Sequence, residues 1–116
     1  MVTPADAYLP TALAHAGPRL QVPAGWPLAV EGDKGVVAYV VLAGTLTVTR
    51  DGEEIGRIGP GELAGELALL RQERRNATLT AATPVEVIAL DEDSFAYHRE
   101  HVSALRAHLE RADEIR

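Results

Sequence analysis

The residues in this sequence with the clearest chemical potential are Glu66 and Arg75, nine positions apart in a segment rich in glycine and arginine. The segment reads Gly61-Glu62-Leu63-Ala64-Gly65-Glu66-Leu67-Ala68-Leu69-Leu70, then Arg71-Gln72-Glu73-Arg74-Arg75-Asn76-Ala77-Thr78. Glu66 to Arg71 are helix formers, with room for about two turns before the polar stretch. A short helix starting near Gly65 leaves its first amide N–H groups without intrahelical partners. With glycine allowing close approach, such an end favours an anion. The loop is long enough to bring Arg75 back to face it. A guanidinium opposite open amides would hold a phosphate through charge-assisted bonds of about 1.5–3 kcal/mol each. Glu66 is a poor phosphate ligand but a good acceptor for sugar hydroxyls. Together these residues suggest a nucleotide with a free ribose hydroxyl.

The elements that must position this segment are mostly extended. Breaks fall at Pro23-Ala24-Gly25, Glu31-Gly32-Asp33-Lys34-Gly35, Asp51-Gly52 and Gly59-Pro60-Gly61. Val36 to Leu42 is a continuous run, as expected of a strand buried on both faces. Thr45 to Thr49 alternates strictly, which puts Leu46 and Val48 inward. Asp51-Gly52 suits a tight hairpin turn, with Ile55 and Ile58 on the returning strand. Thr78–Thr83 and Val85–Leu90 read as two more strands, with Pro84 between them. Ala7 to Ala16 predicts a short helix ending before Gly17-Pro18. Phe95, His98, Val102, Leu105, Leu109 and Ala112 predict one C-terminal helix, with Asp91 or Asp93 as its cap. The expected fold class is mainly β: a small antiparallel roll or barrel with helical ends.

Composition sets the outer limits. The chain has 116 residues, 47% hydrophobic and 24% charged, the size and balance of one globular domain. It has no cysteine, so thiol chemistry and disulfides are excluded. A net charge of −6 argues against nucleic acid as a partner. No apolar stretch has the roughly 20 residues that span a bilayer, and no secretion signal is visible, so the expected address is cytoplasmic.

At the glycine-rich segment the sequence resembles the cyclic-nucleotide-binding domain family of catabolite activators, kinase regulatory subunits and gated channels. The family's phosphate-binding cassette, approximately F-G-E-[LI]-A-L-[LI] and then P-R-x-A-T, stands here as Ala64 to Leu70 and Arg74 to Thr78. Outside it, Glu31-Gly32-Asp33, Tyr39 to Gly44 with Leu46 and Val48, and Gly59-Pro60-Gly61 also resemble family signatures, from about Leu20 to the end. The resemblance implies a jelly-roll-like β-roll over 20–90, a cassette at 61–78, an N-terminal helical segment over 1–19 and a C-terminal helix over 91–116. It implies a cyclic-nucleotide ligand and no cofactor. Glu66 would accept from the ribose 2′-hydroxyl, and Gly65 and the amides of Leu67 and Ala68 would line the sugar-phosphate. Arg75 would pair the phosphate, with the Asn76 amide beside it. Ala77 and Thr78 would begin the strand that walls the base pocket. Asn76 is neither the hydroxyl residue that tends to favour cGMP nor the alanine that favours cAMP; family frequency favours cAMP. Two positions depart from the pattern, Ala64 for a bulky residue and Arg74 for proline, and the second predicts a looser loop.

Other readings stay open beside this one. Glu66 and Arg75 can form an internal salt bridge in a ligandless interaction module. Arg71 and Arg74 read as solvated surface charges. His98, His101 and His108 raise a metal, and with it a cupin-like enzyme, but they lack the usual i+4 partner and the strand His-x-His pair. No hydrolase or P-loop motif is present, so an enzyme is not expected. The C-terminal stripe serves as core, as a lid over the base, or as a seam for a homodimer. An effector protein or fused output domain is the remaining implied partner.

Overall fold

The computed structural model describes residues 8–115. The expected helix start at Ala7 lies outside them, as do the side chain of Ala112 and everything at Arg116. Twelve elements follow in order: α1 (Leu9–Ala12), β1 (Arg19–Val22), β2 (Pro27–Ala29), β3 (Val37–Ala43), β4 (Leu46–Arg50), β5 (Glu53–Ile58), β6 (Leu63–Ala64), α2 (Glu66–Arg71), β7 (Thr78–Ala81), β8 (Val85–Asp91), α3 (Glu92–His101) and α4 (Ser103–Ile115). The strands form two four-stranded sheets with orders β1-β8-β3-β6 and β2-β7-β4-β5, and every pairing is antiparallel. This is the jelly-roll-like β-roll expected from the sequence, with a short helix set into it.

The runs at β3 and β8 are largely apolar because their sheet is covered on both sides. Val41, Val85 and Val87 face the second sheet, where they meet Leu46, Leu79 and Ala81. Val40, Ile88 and Leu90 face the other way, against Leu9 and Leu13 of the N-terminal segment and Phe95, Leu105 and Leu109 of the C-terminal helices. Each face thus takes alternate residues of one strand. The hairpin β4–β5 turns at Asp51 (φ 52°) and Gly52 (φ 80°), both left-handed as a tight primed turn requires.

The C-terminal region departs from the expected single helix. It is two helices, interrupted at Val102, whose φ of −112° and ψ of 107° are extended. Branching at its β-carbon makes valine a poor helix former. Arg106 bridges the break by donating to the Glu100 carbonyl. Phe95 on α3 and Leu105 and Leu109 on α4 nonetheless all reach the same core. Phe95, Leu105 and Leu109 of the stripe are thus core residues, with Val102 packed against them. Asp91 is the cap, its Oδ1 accepting from Ser94 N at 2.8 Å. At the other end, the helix Leu9–Ala12 gives way to turns well before Gly17. Among the described residues, no helix is long and apolar enough to cross a membrane.

Candidate functional site

The site is organised by Gly65. It precedes α2 with φ +79°, a left-handed conformation in which any other residue is strained. A Cβ there would also fall on Nη1 of Arg75. Relieved of that side chain, Arg75 comes to the very start of α2 and donates from Nη1 to Gly65 O at 2.7 Å and from Nη2 to Val37 O at 2.5 Å. The arginine is only 8% exposed and Glu66 only 1%, the two buried charged residues among those described. Gly35 completes the close packing, since a Cβ on it would collide with Ala68 and approach Nε of Arg75 at 2.9 Å.

The loop carrying Arg75 is held by its backbone. Arg75 N donates to Asp33 O at 2.7 Å, and Gly32 N donates to Arg75 O at 2.8 Å. Arg74 adds a side-chain bond from Nη1 to Gly32 O at 3.0 Å. The looseness expected from the missing proline is therefore offset by pairing with the Gly32–Lys34 loop. Arg50 braces the next residue, donating from Nε to Asn76 O at 2.9 Å.

Burial acts on the electrostatics as expected for a desolvated cation. It lowers the Arg75 pKa from its ordinary value, while Tyr39 and Glu66 oppose that shift. Arginine's ordinary pKa is so high that the group stays charged in water at neutral pH. Burial likewise raises the Tyr39 phenol, with Arg75 pulling the other way. Tyr39 donates to Leu28 O at 3.1 Å.

In front of these groups lies a cavity of about 400 Å³, within the range of small-molecule sites. Gly65, Glu66, Leu67, Ala68, Arg75, Asn76 and Ala77 all line it. Thr78 does not: its hydroxyl accepts from Glu31 N at 2.9 Å and so braces the preceding loop. Arg71 and Arg74, read from sequence as solvated charges, are exposed yet border the cavity. The opposite wall comes from the hairpin and β7, through Val48, Ile55, Gly56, Arg57, Ile58 and Leu79. Sequence reasoning missed this wall as part of the site. The alternation at Leu46 and Val48 revealed inward-facing residues, but a core residue and a cavity-wall residue give the same pattern.

His98 and His101 each place one ring nitrogen against a carbonyl of their own helix. Nδ1 of His98 lies 2.7 Å from Ser94 O, and Nδ1 of His101 lies 2.8 Å from Tyr97 O. Among the described residues, no group of three or more His, Cys, Asp or Glu is placed to hold a metal.

A buried arginine and carboxylate at one end of an open cavity, on a jelly roll, match a known pattern. The model of the family described as "Cyclic nucleotide-binding domain" matches residues 19–99. This chain belongs to that family. The cAMP-dependent protein kinase regulatory subunit of Yarrowia lipolytica is 35% identical over 71 residues, covering 61% of this chain and 19% of that protein. The chain thus spans about a fifth of that curated relative. The crystal structure of the Thermus thermophilus catabolite activator protein superposes with a TM-score of 0.79 at 28% identity, covering 96% of this chain and 53% of that one. A cAMP-bound structure of PfPKA-R superposes with a TM-score of 0.67 at 32% identity, covering 73% of this chain and 32% of that one. Arg75 and Glu66, the residues at which the sequence resembles the family's cassette, are the two buried charged residues among those described.

Proposed function

We propose that this domain is a regulatory sensor that binds a cyclic nucleotide, cAMP ahead of cGMP, in the cavity beside α2. The reading rests on one observation: the buried Arg75 guanidinium stands at the Gly65–Glu66 step and borders an open cavity together with Glu66. Two of its five N–H groups go to Gly65 O and Val37 O, which leaves three for a phosphate. The amides of Leu67, Ala68 and Asn76 add donors, and Glu66 accepts from the ribose 2′-hydroxyl. Ala77 borders the sugar, while Thr78 acts from behind by holding Glu31. The similarity to a cAMP-dependent kinase subunit and to a cAMP-bound structure supports the base preference.

Signal output follows from packing. Leu69 and Leu70 of α2 lie against the same core as Phe95, Leu105 and Leu109. Ligand that tightens the Gly65–Ala68 turn shifts the balance between two arrangements of α3 and α4. It can do so only by its difference in affinity for the two. An effector protein or an attached output domain then reads those helices, and the working compartment is the cytoplasm.

Isothermal titration calorimetry with cAMP, cGMP and 5′-AMP tests this reading. The expected result is micromolar or tighter binding of a cyclic nucleotide and much weaker binding of 5′-AMP. Absence of heat with both cyclic nucleotides would leave a ligandless interaction module instead.

A further inference from the structure

Glu31 is not among the residues that line the cavity, yet it joins two of the elements that enclose it. Its amide donates to Oγ1 of Thr78, the first residue of β7, at 2.9 Å. Its Oε1 accepts from Asp51 N, at the turn between β4 and β5, at 3.0 Å. The two residues that follow Glu31 hold Arg75 by its backbone. Gly32 N donates to Arg75 O at 2.8 Å, and Arg75 N donates to Asp33 O at 2.7 Å.

The sheet order shows what the Glu31 carboxylate crosses. β7 lies between β2 and β4 and pairs with both. Glu31 follows β2, and Asp51 follows β4. A bond from one to the other therefore spans the point where Asn76 and Ala77 enter β7. Arg50 grips the same point from the β4 side, with its Nε donating to Asn76 O at 2.9 Å. Two side chains thus fasten one short stretch of backbone from its two flanks, directly after Arg75.

We infer that Glu31 is a positioning residue for the anion loop: with Arg50 it clasps the chain at Asn76–Ala77 and so presets Arg75 for a phosphate. A loop ordered beforehand loses less conformational freedom on binding. The inference rests on the nucleotide reading above and deepens it. Because Glu31 does not line the cavity, its effect on affinity runs through the loop. Charge alone acts in the opposite direction, since removing a carboxylate near an anion site favours the anion.

The test is calorimetry with cAMP and cGMP on the wild type, Glu31→Ala, Glu31→Gln and Asp91→Ala, with amide hydrogen exchange of each ligand-free protein. Asp91→Ala is the control, because it removes a helix cap rather than a contact of the loop. Glu31→Ala should weaken binding about three- to tenfold, the yield of one net hydrogen bond. Its Arg75 amide should also exchange faster than in Asp91→Ala. Glu31→Gln keeps an acceptor for Asp51 N and should bind within twofold of wild type or more tightly. Alanine binding within twofold of wild type, or more tightly, would overturn the clasp while leaving the nucleotide reading intact. An equal loss in Asp91→Ala or in Glu31→Gln, or an Arg75 amide no faster than in Asp91→Ala, would also overturn it. Failure of the wild type to bind either nucleotide would overturn both readings together.

Discussion

Replacing Arg75 by lysine keeps the charge and removes the fork. The guanidinium reaches Gly65 O at 2.7 Å and Val37 O at 2.5 Å through separate nitrogens, with three further N–H groups available to a phosphate. An ammonium has three donors on one nitrogen and cannot span both carbonyls while also meeting a phosphate oxygen. At least one charge-assisted bond is lost in the complex, about 1.5–3 kcal/mol. That corresponds to a rise in Kd of about ten- to 150-fold. Lysine also gives up one of the two carbonyl bonds, so the free protein should lose about 1.5–3 kcal/mol of stability. Arg75→Ala should weaken binding by at least tenfold, with a larger loss of stability because both of its carbonyl bonds are lost. Calorimetry with the preferred cyclic nucleotide gives the first quantity, and urea unfolding of the ligand-free proteins gives the second. Lysine binding within twofold of wild type would show that the fork is not used on the ligand and would refute the reasoning.

Further expectations follow from single contacts. Gly65→Ala should cost about 1–2 kcal/mol from its left-handed backbone alone, and the new methyl displaces Nη1 of Arg75, so urea unfolding and calorimetry should both register a loss. Asp91→Ala should lower stability by about 0.5–2 kcal/mol by removing the cap on Ser94 N, with nucleotide affinity changed less than stability. Tyr39 gives a pH dependence. Its folded pKa is raised by burial, so its contribution is fully present below the unfolded value of about 10 and is lost as pH rises through the folded one. Melting temperatures should therefore fall above about pH 10, and Tyr39→Phe should flatten that fall relative to wild type.

The sequence was most legible where chemistry and backbone coincide. Gly65, Glu66 and Arg75 could be read because a glycine, an acid and a returning arginine have few other uses at that spacing, and the structure gathers them at one point. The β3 run and the Asp51-Gly52 turn were legible for similar reasons, one from burial on both faces and the other from its need for positive φ. What was hidden depends on tertiary placement. The break at Val102 leaves the three-four spacing of apolar residues almost undisturbed, so periodicity cannot reveal it. Thr78 sits at the right place in the chain, but its hydroxyl is claimed by a residue 47 positions away. The bracing of Arg74 against Gly32 is likewise a contact across 42 positions. The hairpin wall of the cavity escaped notice because Val48 and Ile58 look like ordinary core positions until the space in front of them is known.

A crystal structure of the domain with its preferred cyclic nucleotide examines the decisive contact at atomic distances. A phosphate oxygen should lie about 2.7–2.9 Å from a nitrogen of Arg75, with the 2′-hydroxyl on the Glu66 carboxylate. A nucleotide bound elsewhere, or a phosphate held without Arg75 while the guanidinium serves only Gly65 O and Val37 O, would contradict the account.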